Sequence, residues 1–306
     1  MSILNYKFLQ YQLWLDCSNN CRFCMNRLEK DVVDKKESID FYIQKIKEGE
    51  LKDFTELGII GGEFFNGQLE TKEIHDKFYE FIGLVADHIK EGIIKKFDFT
   101  TSLIFKDLSE IYEFLDFINK KCGSLDALLL CTSYDTIYRF HNQKGLELWE
   151  NAIFSLHEKY PTLKIHVETI LTQDFINKVL SGEHDIKAFA KKYNVHVDYI
   201  APLTDHHGSS RFEVAKILPD FYPTRDSFFA FMQKVSEEKT VDLKALGSRE
   251  IMSHTLYALV NGKPKKYIDK EKDLKEIGGI PTSIGYVDDN TPINYDIMAF
   301  RSLLNA

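Results

Sequence analysis

The chain has 306 residues, of which 44% are hydrophobic and 28% charged, with a formal net charge of −8 and a pI of about 5.7. This length suits one large α/β domain with an extension, or two domains, around a sizeable core. The negative charge argues against a nucleic-acid polymer as the main partner, because binding phosphates needs a basic face. No apolar run reaches the roughly 18 residues that cross a bilayer, and no secretion signal is apparent at the N-terminus.

The first apolar segment, Phe8 to Leu15, is predicted to be a strand because its residues alternate in character. The residues of one face are Leu9, Tyr11, Leu13 and Leu15. Those of the other face are Gln10, Gln12, Trp14 and Asp16. A parallel strand that is buried on both faces is apolar throughout, so the second face is predicted to line a partly wet cavity.

Three cysteines follow this strand directly, at C-x3-C-x2-C spacing: Cys17, Cys21 and Cys24. A [4Fe–4S] cluster normally takes four Cys thiolates, so three ligands leave one iron open to a substrate or cofactor. A structural zinc site wants four N/S ligands, usually with a second C-x2-C unit, and none follows here. The spacing therefore favours a cluster, with zinc or three plain thiols as the alternatives. Five cysteines grouped in this way do not form a disulfide framework, which favours a reducing cytoplasm.

With Phe23 just before the last cysteine, the loop resembles that of the radical S-adenosylmethionine (radical SAM) superfamily. The resemblance implies that Cys17, Cys21 and Cys24 hold the cluster, whose open iron binds the amine and carboxylate of SAM. It also implies that Phe23 lies near the adenine. In this superfamily, one-electron reduction of SAM releases methionine and a 5′-deoxyadenosyl radical, which abstracts a hydrogen from an unactivated C–H bond.

A first helix is predicted from Ser38 to about Glu48, and a second strand from Phe54 to Ile60. This strand ends in Gly61-Gly62-Glu63, where two glycines allow a sharp turn and a close approach to a ligand. The tripeptide resembles the GGE motif of the superfamily, whose backbone and carboxylate engage the amino group of SAM. Alone, Gly-Gly-Glu more often marks a turn.

The third strand is predicted from Lys96 to Leu103, with Asp98, Thr100 and Ser102 on one face. Because chemistry in (β/α) barrels sits at the carboxyl ends of the strands, Ser102 is a candidate for SAM binding.

The fourth strand, Leu125 to Ser133, ends in Ser133-Tyr134-Asp135. Enzymes of the superfamily often have a similar Ser-x-Asp, which reaches the ribose and carboxylate of SAM together with a nearby arginine. The resemblance therefore suggests Ser133, Asp135 and Arg139 as further SAM-binding residues. An equally weighted alternative is that Ser133 and Asp135 cap a turn.

Strands and helices alternate about six times up to the predicted sixth strand, Val195 to Ala201. Such βαβ repetition predicts a parallel sheet with right-handed crossovers, and six units are too few for a closed eight-stranded barrel. The resemblance implies an α/β fold of the partial (β/α)6 barrel type over residues 1–203. An open barrel of this type would leave a lateral gap through which a large substrate could reach the cluster.

Residues 204–306 are predicted to form an irregular, partly helical C-terminal extension that serves as a lid and substrate element. Helices are expected over Asp226 to Glu238 and Ser248 to Val260, and a solvated loop or hairpin over Lys263 to Lys275. The adjacent His206 and His207 lack a third ligand in register and do not indicate a metal site. No cysteine follows Cys131, which argues for a single cluster and against an auxiliary-cluster domain.

The sequence thus predicts a radical SAM enzyme that acts on a peptide or small metabolite. The resemblance implies an electron donor such as flavodoxin or ferredoxin, and no membrane is expected to take part. One alternative is a radical SAM enzyme that acts on a nucleotide or nucleic acid. Another is a non-catalytic metal-binding protein that senses SAM or redox state. No residue specifies the substrate, and no catalytic residue is assigned.

Overall fold

The computed structural model describes residues 7–19, 21, 22, 24, 33–140, 142–200, 223–237, 253–260 and 262–268. Phe23, His206 and His207, most of the predicted lid and the end of the chain lie outside the described residues. Every other residue predicted to bind the cluster or SAM lies within them.

Strands and helices alternate along the chain. The strands are β1 (Lys7–Gln12), β2 (Glu56–Ile60), β3 (Lys96–Thr100), β4 (Leu128–Ser133), β5 (Lys164–Ile170), β6 (His196–Ile200), β7 (Ser253–Val260) and β8 (Lys263–Ile268). The helices are α1 (Lys35–Lys47), α2 (Lys72–Lys90), α3 (Ser109–Cys122), α4 (Gln143–Lys159), α5 (Gln173–Ser181), α6 (Ile186–Tyr193) and α7 (Arg225–Glu237), with a 3-10 turn at Glu50–Asp53. Among the helices that the structure describes, none is both long and apolar enough to cross a membrane.

The strands form an eight-stranded sheet in the order β6-β5-β4-β3-β2-β1-β7-β8. Strand β1 pairs in parallel with β2, β2 with β3, and β3 with β4, as βαβ units require. The predicted α/β class and the parallel order of these strands are confirmed. The description of this sheet as a partial barrel stays a prediction.

The helix predicted over Ser248 to Val260 is wrong where the structure describes it, because β7 occupies Ser253–Val260. Within it Thr255, Tyr257 and Leu259 are all buried, which is the period of two that marks a strand. Strand β7 pairs in parallel with β1, so β1 lies inside the sheet, between β2 and β7. Strand β8 then pairs antiparallel with β7, which confirms the hairpin alternative over residues 263–268.

Contacts along the chain define two compact units, Met1–His166 with Met252–Lys270, and Val167–Ile251 with Glu271–Ala306. The predicted boundary after residue 203 stays a prediction. In the second unit, α7 confirms the helix expected over Asp226 to Glu238 and packs on α5 and α6. The buried residues of this cluster include Phe175, Ile176, Phe228, Phe231 and Val235.

In the first unit, helices cover one face of the sheet, and aromatic side chains pack between the two layers. Tyr11 lies against Tyr42 of α1 with ring centroids 4.5 Å apart, and Phe99 against Phe114 of α3 at 4.4 Å. The opposite face carries half-buried polar residues: Gln10, Gln12, Lys96, Asp98 and Thr100. The alternation predicted for the first and third strands is therefore present, with a partly wet second face.

Within the first unit, the Glu50 carboxylate binds the hairpin of β7 and β8 to β1. Glu50 accepts hydrogen bonds from Tyr11 Oη at 3.1 Å and Tyr257 Oη at 2.6 Å, and pairs with Lys266 Nζ at 2.7 Å. Burial and the Glu50 carboxylate raise the pKa of both phenols above the ordinary tyrosine value. Both hydroxyl groups therefore remain donors at neutral pH.

Candidate functional site at the cysteine loop

The three cysteines lie on the loop that leaves β1 at its carboxyl end. This is the end at which parallel α/β sheets carry their binding sites. Cys17 is exposed, Cys21 buried and Cys24 half-buried. The backbone N–H of Cys24 donates to the carbonyl of Cys21 at 3.2 Å, and that of Asn19 donates to Cys17 Sγ at 3.4 Å. Local hydrogen bonds therefore shape the loop, and one of them has the Cys17 sulfur atom as its acceptor.

The environment of Cys17 disfavours an isolated thiolate, although the residue is exposed at the surface. Loss of water around the sulfur raises the pKa of Cys17 to about 12, and the hydrogen bond from Asn19 opposes this only in part. Glu63, Cys21 and Cys24 raise the pKa of Cys17 further, because their negative charges would repel the thiolate. A bound cation removes this penalty, since a thiol that coordinates a metal is deprotonated outright.

Among the residues that the structure describes, no three His, Cys, Asp or Glu side chains are arranged to hold one metal ion. This result concerns a single ion, whose ligands all converge on one point. A cubane cluster binds each thiolate through a different iron, so its three sulfur ligands stand further apart.

The backbone after β2 packs directly on the root of the cysteine loop. The N–H of Gly62 donates to the carbonyl of Trp14 at 2.7 Å, and that of Glu63 to the carbonyl of Asp16 at 2.8 Å. A Cβ atom at Gly61 would lie 2.5 Å from the Trp14 carbonyl oxygen, and one at Gly62 only 1.8 Å from that of Asp16. The close approach predicted for these glycines is therefore made to the chain itself. A contact with SAM stays a prediction.

The Glu63 carboxylate is fully buried and accepts four hydrogen bonds from the protein. Oε1 accepts from the N–H groups of Phe64 and Phe65 at 2.8 and 3.1 Å and from Thr101 Oγ1 at 2.8 Å. Oε2 accepts from the N–H of Ser102 at 2.7 Å. Glu63 thus ties the turn after β2 to the end of β3. An ammonium group would have to use the remaining lone pair of Oε2.

The backbone is strained at Leu103, directly after the Ser102 N–H that binds Glu63. Leu103 has φ of 57°, in the left-handed region that leucine rarely adopts, and its side chain is fully buried. Such conformations persist where the surroundings impose them, and they cluster at functional sites. The bonds that Ser102 makes hold the chain in this conformation.

Asp135 acts as a turn cap in the loop after β4. Its carboxylate accepts hydrogen bonds from the N–H groups of Ile137, at 2.9 Å, and Tyr138. The turn-cap alternative is therefore confirmed for Asp135. The cap brings Tyr138 over the cysteine loop, where its carbonyl accepts from the N–H of Arg22 at 2.7 Å.

Arg139 connects three loops of the site through a buried guanidinium group. Nη1 donates to Ser133 Oγ at 2.8 Å and lies 4.0 Å from Cys21 Sγ. Nη2 donates to the carbonyl of Ser102 at 2.9 Å. Since Ser102 also binds Glu63, a continuous polar network runs from Cys21 to Glu63. The structure thus brings together the residues predicted from four separate segments.

Two buried nitrogen atoms of the site have no hydrogen-bond partner within the described part of the chain. They are Arg139 Nε and Asn19 Nδ2. Buried polar atoms are nearly always satisfied, so each calls for an explanation. Both are donors, so a hydrogen-bond acceptor at this place would satisfy them.

Several residues that shape the site were not predicted from the sequence. Trp14 was assigned to the cavity face, but β1 ends at Gln12 and the Trp14 ring is fully buried against Phe64, with centroids 4.9 Å apart. Lys35 is also buried, and its Nζ lies 2.6 Å from Glu70 Oε1 and 3.4 Å from Asp16 Oδ2. A lysine in the first turn of a helix carries no signal of burial, so the sequence alone could not identify it.

Comparisons with known proteins do not identify a family. No protein-family model matches the sequence, and no curated protein does. Among solved structures, the chain is similar to Streptococcus suis SuiB, with 12% identity and a TM-score of 0.46, over 83% of this chain and 59% of that one. It is also similar to a protein described as "Family GH13_31 enzyme", with 8% identity and a TM-score of 0.30, over 72% of this chain and 58% of that one.

The chain therefore spans little more than half the length of either protein. At TM-scores this low, neither likeness identifies a fold family or an activity.

Proposed function

We propose that this chain is a radical SAM enzyme whose Cys17, Cys21 and Cys24 bind a [4Fe–4S] cluster. The proposal is carried by one observation. The C-x3-C-x2-C loop leaves the carboxyl end of β1, and the Gly61-Gly62-Glu63 backbone is hydrogen-bonded to the residues immediately before Cys17. Two motifs that are 37 residues or more apart in sequence are therefore neighbours, as a shared cofactor requires.

The chemistry of the donor set fits such a cluster. Three thiols on one loop provide ligands for three irons and leave the fourth open. The buried Arg139 guanidinium lies beside Cys21, and Asn19 Nδ2 has no partner among the residues that the structure describes, so both favour a negatively charged group at this place. Cluster and ligand thiolates together carry that negative charge.

When bound, the cluster supplies one electron for the cleavage of SAM to methionine and a 5′-deoxyadenosyl radical. The residues of the chain then have to hold SAM against the cluster and keep water away from the radical. The candidates for holding SAM are Phe23, Gly61, Gly62, Glu63, Ser102, Ser133, Asp135 and Arg139. Of these, Arg139 has an Nε–H without a partner among the described residues, which it would offer to the SAM carboxylate, and Ser133 orients the guanidinium.

The proposed substrate is a peptide or a small metabolite. The half-buried polar face of β1 and β3 supports a polar substrate, since Gln10, Asp98 and Thr100 offer both donors and acceptors there. The proposed electron donor is a small redox protein such as flavodoxin or ferredoxin.

The test is anaerobic reconstitution with iron and sulfide, followed by analysis of metal and sulfide and of SAM cleavage after reduction. The wild type should bind iron and sulfide and release 5′-deoxyadenosine, whereas the triple Ala variant of Cys17, Cys21 and Cys24 should do neither. Matched controls are Cys122→Ala and Cys131→Ala, which remove thiols that lie outside the loop and should leave both results unchanged. One zinc per chain, without sulfide or SAM cleavage, would instead support a metal-binding sensor.

A further inference from the structure

The Arg139 guanidinium is a buried positive charge whose polar partners are neutral. The residue is 7% exposed, and its two oxygen partners are a serine hydroxyl and the Ser102 carbonyl. Within the described residues no carboxylate lies at ion-pair distance from it, and Nε has no partner. The site therefore holds a full positive charge that no described side chain neutralises.

A buried charge of this kind is costly unless an opposite charge compensates it. The nearest candidate is Cys21, whose Sγ lies 4.0 Å from Nη1 and which is itself 6% exposed. A neutral thiol does not compensate a cation, but a thiolate does. Because both groups are buried, their interaction is screened much less by water and salt than one at the surface.

We propose that Arg139 is the counter-ion of the cluster at its Cys21 corner and sets the reduction potential. This inference rests on the proposed function and goes beyond it, since it gives Nη1 a role toward the cluster while Nε remains for SAM. Hydrogen bonds and charge next to the ligand sulfur atoms tune the potential of iron–sulfur clusters. A nearby positive charge stabilises the more negative, reduced state, so Arg139 makes the one-electron reduction easier.

Arg139 is a positioning residue and not a catalytic one, because it acts on the cluster through Cys21. The effect of its charge can be separated from that of its hydrogen bonds. Arg139→Gln removes the charge and keeps a donor, whereas Arg139→Lys keeps the charge in a different shape. Arg22→Gln is the matched control, because Arg22 is the neighbour of Cys21 in sequence but its side chain is exposed, where water screens the charge.

The experiment is a redox titration of the reconstituted protein, followed by the electron paramagnetic resonance signal of the reduced cluster. Iron and sulfide content are measured on each sample. We expect a more negative midpoint potential for Arg139→Gln, a value closer to that of the wild type for Arg139→Lys, and no shift for Arg22→Gln. An unchanged potential in Arg139→Gln, or equal shifts in the Gln and Lys variants, would overturn the proposal.

Variants that fail to keep the cluster still give an answer. If Arg139→Gln loses iron and sulfide while Arg139→Lys keeps them, the positive charge is what the cluster needs, and the proposal stands. If both variants lose them to the same extent, charge is not the cause and the proposal fails. A wild-type protein that takes up no iron and sulfide would defeat the proposed function itself, which is a separate result.

Discussion

The indole Nε1–H of Trp14 donates a 2.7 Å hydrogen bond to the main-chain carbonyl of Glu63. Both groups are buried, and they join the segment that leads into the cysteine loop to the turn after β2. Together with the backbone hydrogen bonds of Gly62 and Glu63, this contact joins the cysteine loop to the Gly61-Gly62-Glu63 turn. Cys17 lies three residues after Trp14 in the same loop, so its position depends on these contacts.

We expect Trp14→Phe to destabilise the protein and weaken cluster binding. The change leaves the buried Glu63 carbonyl without its donor, which costs about 1–3 kcal/mol. The free energy of unfolding in urea and the iron content after reconstitution are the measurements. Trp149→Phe is the matched control, because it removes a buried indole donor to Thr132 Oγ1 outside the cysteine loop. It should lower stability and leave the iron content unchanged, and equal losses of iron in both variants would contradict the expectation.

Gly62→Ala should be among the most damaging substitutions in the chain. The added Cβ would lie 1.8 Å from the carbonyl oxygen of Asp16, so the backbone itself must move. Overpacking typically costs about 1–3 kcal/mol, and a clash with backbone should reach or exceed the upper end. The control is Gly83→Ala in α2, where the nearest atom is 3.6 Å away and alanine favours the helix by up to about 1 kcal/mol. Similar melting temperatures for the two variants would refute this account of Gly62.

Glu63→Gln separates the anchoring role of Glu63 from a role in binding SAM. An amide presents one oxygen and one NH2 group, so at least one of the four donors now facing the carboxylate meets another donor. We expect a loss of about 1–3 kcal/mol in unfolding free energy. The control is Glu110→Gln, which changes a carboxylate that accepts from the N–H of Gly67 at the surface and should have little effect.

SAM affinity of the Glu63→Gln variant is then measured by equilibrium dialysis. Unchanged stability with lost affinity would show that Glu63 serves the ligand and not the fold.

The hydrogen bonds to Glu50 should make the docking of the hairpin of β7 and β8 sensitive to alkaline pH. Because the pKa of Tyr257 is raised by burial and by Glu50, the native state holds its phenolic proton at a pH where the unfolded chain releases it. Its contribution is therefore complete below the ordinary tyrosine pKa of about 10 and declines as the pH rises above that value. The measurement is the difference in unfolding free energy between wild type and Tyr257→Phe from pH 7 to 11. A difference that grows above pH 10 would contradict this sign.

The cysteine loop could be found from the sequence because all three of its cysteines are close together along the chain. Cys17, Cys21 and Cys24 lie within eight residues, so their spacing is visible without a fold. The same holds for the alternating residues of β1 and β3 and for the amphipathic stripe of α2, whose periods follow from strand and helix geometry. The error at Ser253–Val260 is of another kind, because a short apolar segment suits either a helix or a strand until its partner is known. Strand β1 supplied that partner, about 245 residues earlier in the chain.

The sequence alone determined the alternation of strands and helices, the parallel arrangement and the residue types of the cysteine loop, since each depends on neighbours along the chain. Only the tertiary structure decided what these residues touch. It packed Gly61 and Gly62 on Trp14 and Asp16, surrounded the Glu63 carboxylate with donors from the segments that follow β2 and β3, and placed Arg139 beside Cys21, 118 positions away. Such contacts arise where the ends of parallel strands meet. Which side chains meet there is fixed by register and packing, and no local pattern encodes either.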